Sequence, residues 1–137
     1  MLVSRLLIRQ APVTGVLLAL NIAIFAIPTL LQLAGAQIDG IPINDYVLSF
    51  GVLYGPIVKV YHQYYRFLTS MFLHYGLLHI AFNSYSLYIF GIQIEQLYGT
   101  WRFLAIYLIS GLCGGAAYYA LSTGAGAGSG WTTGAGI

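Results

Sequence analysis

The run RFLTSMFLHYGLLHIAFNSYSLYIFGIQIEQLYG, from Arg66 to Gly99, decides how this chain is read. It is apolar for long enough to cross a bilayer, which takes about 20 helical residues at 1.5 Å rise each. Yet it carries His74, His79 and Asn83. A polar group at membrane depth costs several kcal/mol unless something partners it, so these side chains point to function or to a specific contact. His79 and Asn83 are four apart, about 400° around a helix, and so share one stripe one turn from each other. His74 and His79 are five apart, about 140° off a common face, with no carboxylate or cysteine at ligand spacing, which speaks against a metal site. The plain alternative is that all three only hydrogen-bond between helices, each bond being worth about 0.6–2 kcal/mol.

Composition agrees with a membrane protein. Of 137 residues, 59% are apolar and 6% charged, far below the roughly one quarter charged that a soluble domain carries. Twelve tyrosines and two tryptophans supply rings suited to the headgroup level. A net charge of +2 from five basic and three acidic residues is too sparse for a nucleic-acid surface. The single cysteine, Cys113, excludes a disulfide within the chain.

Working outward, Arg5 and Arg9 form a short basic lead-in that would lie on the membrane surface. A first spanning helix is expected over residues 12–33, with Pro12 in its first turn and Pro28 kinking or ending it. Its apolar run of about 25 residues exceeds a signal-peptide core, so it reads as a retained helix. Asn21, mid-span, should face other helices. Residues 34–65 hold Asp39, Asp45 and Lys59 with several glycines and prolines, and read as a greasy loop lying in or re-entering the interface. His62 there is expected to be an exposed interfacial side chain. The second spanning helix is expected over residues 68–94, with its core from about Gly76. The third is expected over 103–121, where Gly111 and Gly115 form a GxxxG pair that would pack on the second helix. A Gly/Ala-rich tail, 122–137, reads as a flexible loop. Arg5, Arg9 and Arg102 against Lys59 and Arg66 favour an N-terminus inside the cell.

The order of these elements resembles the second and third helices of the rhomboid family, the intramembrane serine proteases. The features are Tyr65–Arg66, Phe72 and His74, His79-x-x-x-Asn83, Glu95 with Gly99, Arg102, then Gly111 with Gly115. The segment APVTGVLLALNIAIFAI resembles the family's first helix, so the likeness spans about residues 12–121. It implies an all-α membrane bundle, here three spanning helices plus a membrane-associated first loop, that cleaves transmembrane protein substrates in the lipid bilayer without a cofactor. It assigns His79 and Asn83 to oxyanion stabilisation, His74 to support of the site, and Glu95 to tying the cytoplasmic end of the second helix to its neighbours. The setting it implies is a multi-pass protein of a bacterial-type plasma membrane.

The family's nucleophile stands in Gly-x-Ser-Gly at the start of an apolar helix. Ser129 is the candidate here, but Ala127 replaces the first glycine and Trp131-Thr132-Thr133 follows. All three histidines precede Ser129, whereas the family's base follows its serine. The chain is therefore expected to be an N-terminal portion that stops short of the catalytic serine and histidine and is inactive alone. A non-catalytic rhomboid-like protein that binds transmembrane segments, as derlin-like pseudoproteases do, is the alternative. A plain helical anchor is a third reading.

Overall fold

The computed structural model describes residues 10–125, so Arg5, Arg9, Ser129 and most of the Gly/Ala-rich tail lie outside the described residues. Within them the chain is an all-α bundle with three helices long and apolar enough to cross a membrane. Helix α1 is Pro12–Leu33. Its first turn has no side-chain cap of its own, since Ala11 precedes it, and Pro12 has no N–H to satisfy. The cap comes from the far end of the second spanning helix. Val13 N–H donates to Glu95 Oε1 at 3.0 Å, and Thr14 N–H and Oγ1–H both donate to Glu95 Oε2 at 2.8 Å. A carboxylate at a helix N-terminus answers both the orphan N–H groups and the positive end of the macrodipole. Glu95 is 2% exposed.

Pro28 does not end α1, which continues through Leu33. The neighbouring Thr29 hydroxyl donates to the Phe25 carbonyl at 2.7 Å, one turn back. The helix stops instead at Gly35, φ +85°, where Gly35 N–H bonds Gln32 O and Ala36 N–H bonds Leu31 O, a Schellman motif.

The expected loop is folded. Strands β1 (Gln37–Ile38) and β2 (Ile41–Pro42) pair antiparallel across Asp39-Gly40, whose φ values of +52° and +79° make a primed hairpin turn. Helices α2 (Ile43–Gly51), α3 (Gly55–Tyr61) and the short α4 (Arg66–Thr69) follow, the last running into a 3-10 turn, Ser70–Phe72. His62, exposed and with φ +54°, ends α3. Arg66 is buried and holds the loop together: Nη1 donates to the Ser49 and Val52 carbonyls at 2.9 and 2.8 Å, and Nε to Gln63 Oε1 at 2.7 Å.

The second spanning helix, α5, is Leu77–Tyr98 and not residues 68–94. Residues 66–72 form separate short turns of the loop, because the backbone reverses at Gly76, φ +133°, before α5 begins. A π-helical turn, Leu87–Gly91, lies inside α5. Gly99, φ +87°, then makes the tight turn into α6, Thr100–Ala120, which ends in a second π turn, Leu121–Ala125.

Gly91 lets α5 approach α1, since a Cβ there would stand 3.0 Å from Thr14 Cγ2. The GxxxG pair of α6 meets a different neighbour from the one expected. A Cβ at Gly111 would run into the Met71 thioether, and one at Gly115 would lie 3.2 Å from Phe67 Cδ1 and 3.3 Å from Leu53 Cδ2. The small face of α6 therefore packs on the loop, and Phe67 adds an edge-on contact to Tyr119 at 5.7 Å between ring centroids.

Two outcomes are expected. Glu95→Ala leaves the α1 N-terminus uncapped and costs about 2 kcal/mol, the upper end of the usual loss for a helix N-cap; equilibrium unfolding in mixed micelles measures it, and an unchanged midpoint contradicts the cap. Arg66→Met frees three acceptors and speeds limited proteolysis between residues 43 and 72, whereas cleavage at the wild-type rate would deny Arg66 its holding role.

Candidate functional site

A cavity of about 940 Å³ opens between the three spanning helices and the loop. Each sequence-predicted residue of the second helix can be placed against it. His79 and Asn83, on one face of α5, both border the cavity, and both side chains are solvent-accessible. His74 precedes α5, is 5% exposed, and borders the same space. Its Nδ1–H donates to the Phe72 carbonyl at 3.1 Å, which fixes the tautomer and leaves Nε2 as the free nitrogen. The His74 and His79 rings meet edge-on with centroids 5.1 Å apart and planes at 69°. A buried, backbone-tethered imidazole thus braces an accessible one.

Glu95 is not part of this cluster. It lies twelve residues along α5 from Asn83, about 18 Å away at 1.5 Å per residue. Its role is the α1 cap described above. Ser129 lies outside the described residues, and among those residues neither His74 nor His79 hydrogen-bonds a serine.

Two features of the cavity went unnoticed in the sequence. The π turn of α5 contributes Leu87, Phe90 and Gly91 to the wall just beyond Asn83, and such turns occur often at functional sites. Tyr107 and Tyr118 of α6 also line it. The available signal was a pair of tyrosines flanking the small-residue run Ser110, Gly111, Gly114 and Gly115 on the same helix face.

Chemically the site offers side-chain N–H donors from His79 and Asn83 at the wall of the cavity. Such a pair receives negative charge developing on an oxygen. Burial in the first place, and the facing His79 in the second, hold the His74 imidazole below its ordinary pKa of 6.5, against the opposing effect of its bond to Phe72 O. The neutral form is thereby favoured in the fold.

Comparison with known proteins then identifies the group. The Rhomboid domain model matches residues 61–136. Over 109 residues the chain is 32% identical to Rhomboid protease GluP of Bacillus subtilis (strain 168), covering 80% of this chain and 20% of that protein. The chain belongs to the rhomboid family. Rhomboid protease AarA of Providencia stuartii is 44% identical over 50 residues, 36% of this chain and 18% of that protein. Inactive RHOMBOID-like protein 8 of Arabidopsis thaliana is 45% identical over 53 residues, 39% and 15%. The chain thus spans a fifth or less of the length of these rhomboid relatives. No solved structure matches it.

With a folded-state pKa below 6.5, His74 takes up its proton less readily than in the unfolded rhomboid chain. Its contribution is neutral above pH 6.5 and destabilises progressively as pH falls below that value. The His74 ring resonances should titrate with a midpoint under 6.5, and His79→Phe should move that midpoint upward without restoring 6.5, because burial remains. A midpoint at or above 6.5 in the wild-type chain contradicts the assignment.

Proposed function

We propose that this chain carries the first three spanning helices of a rhomboid intramembrane serine endopeptidase, which hydrolyses peptide bonds of transmembrane substrates. The observation that carries the reading is the accessible His79–Asn83 stripe on the wall of an open cavity between the spanning helices and the loop, with His74 tethered behind it. In acyl transfer a serine oxygen attacks the scissile carbonyl, the carbonyl oxygen takes the negative charge, and preorganised donors must meet it away from bulk water. His79 and Asn83 hold that oxyanion. His74 keeps the His79 ring in place. The serine nucleophile and the histidine that takes its proton belong to later helices of the full-length protein. The named proteases among the relatives support this reading.

The similarity to Inactive RHOMBOID-like protein 8 favours a second reading, a non-catalytic member that binds transmembrane segments. An open reading frame beyond codon 137 that supplies Gly-x-Ser-Gly and a late histidine favours the protease; a stop codon there favours the binder. In either case we place the Pro12 end of α1 on the cytoplasmic side of a bacterial-type plasma membrane.

In the full-length protein, His79→Ala and Asn83→Ala should each lower kcat on a fluorogenic transmembrane substrate about 10²–10³-fold, the usual cost of losing one oxyanion donor, with the melting temperature nearly unchanged. Wild-type turnover in both variants would remove the oxyanion role. Residues 1–137 alone should show no cleavage, and robust cleavage abolished by Ser129→Ala would overturn the division of the site.

A further inference from the structure

Two pairs of residues on α5 carry separate duties. Gly91 and Glu95 seat the helix on α1: a Cβ at Gly91 would stand 3.0 Å from Thr14 Cγ2, and Glu95 caps Val13 and Thr14. His79 and Asn83 line the cavity. Residues four apart on a helix share a face, so each pair has one direction. The pairs are twelve residues apart, His79 from Gly91 and Asn83 from Glu95. A regular α-helix turns through about 1200° over twelve residues, which leaves the two pairs about 120° apart around the axis. Yet His79, Asn83 and Gly91 border one cavity.

What reconciles the two pairs lies between them. The π turn Leu87–Gly91 closes i→i+5 bonds and so holds one residue more than an α turn. With that residue taken up in the turn, the helix rotates as though the pairs were eleven apart, about 1100°, which brings them within about 20° of one line. The middle of the turn suits a surplus residue. Tyr88 is exposed, Ile89 is half-buried, and neither borders the cavity.

Resting on the reading of His79 and Asn83 as oxyanion donors, we propose that the π turn is a positioning element of the site. Its one surplus residue brings the charge-receiving pair into line with the pair that seats α5 on α1. A side chain about 5 Å from the helix axis swings about 8 Å on a 100° rotation, so losing the alignment takes both donors away from an oxygen they must meet at about 2.7–3.1 Å.

The test is a pair of length changes in the full-length protein. Deleting Ile89 removes the surplus, the turn closes as regular α-helix, and the two halves keep their alignment; kcat on a fluorogenic transmembrane substrate stays within about threefold of wild type. Inserting one alanine between Tyr88 and Ile89 rotates the halves by about 100° and lowers kcat at least about 100-fold, as loss of a donor does. If the register carried no surplus, the deletion and the insertion would each rotate the halves and each abolish cleavage. A deletion as damaging as the insertion therefore overturns the proposal, and so does an insertion that leaves kcat near wild type. Deleting Tyr88 replaces the first variant if that one does not fold, and failure of both deletions to fold also counts against the surplus. A second readout needs no catalysis: Asn83→Cys in a Cys113→Ala background, labelled in detergent by a water-soluble maleimide. Labelling keeps its rate with Ile89 deleted and slows at least about tenfold with the alanine inserted; slowing in the deletion, or none in the insertion, overturns the proposal. If the wild-type protein cleaves nothing, the protease reading fails while the labelling rates still decide the register.

Discussion

The carboxylate of Glu95 on the open N-terminus of α1 is the contact from which the rest of the bundle takes its geometry. It joins residues more than 80 positions apart in the sequence, and it does so at one end of both helices. Apolar side chains cannot set the rotation or depth of one membrane helix against another, because lipid solvates them as well as a neighbour does. A buried carboxylate with three directed hydrogen bonds sets both. From that anchor the Gly91–Thr14 approach keeps α1 and α5 together, and the Gly99 turn returns the chain as α6.

At the opposite end the work passes to the loop. Arg66 gathers the carbonyls at the end of α2 and the Gln63 side chain, and Met71, Phe67 and Leu53 fill the small face of α6. This packing has a consequence for the site. With the glycine face of α6 covered by the loop, a space remains between the spanning helices, and His79 and Asn83 line it. Just ahead of α5, the reversal at Gly76 follows the short stretch where the Phe72 carbonyl accepts a hydrogen bond from His74 Nδ1–H. The polar cluster is therefore oriented by backbone geometry at both sides of one glycine.

Much of this was legible because membrane helices announce themselves by length and composition, and because polar residues inside them are scarce enough to stand out. The α1 span and the shared stripe of His79 and Asn83 followed from spacing alone. The start of α5 did not: apolar residues 66–75 continue the pattern of the helix, and only the positive φ of Gly76 separates them, a conformation that composition does not reveal. The Asp39-Gly40 hairpin carried its usual dipeptide signal and was hidden by the surrounding apolar loop. Pro28 was expected to disturb α1, yet the helix continues past it. The partner of the α6 glycines could not be read, since GxxxG specifies a close neighbour without naming it. Asn21 was expected to face other helices, and it is buried inside the bundle at the edge of the cavity.

The central proposal is that His79 and Asn83 form the charge-receiving side of a peptide-cleaving site in the full-length protein. It is tested most directly by a structure of the full-length protein bound to a transmembrane-derived peptide aldehyde, whose hemiacetal oxygen marks where the oxyanion sits. The account expects that oxygen within about 2.7–3.1 Å of a ring nitrogen of His79 and of Asn83 Nδ2. An oxygen turned away from both side chains, toward other donors, would contradict it.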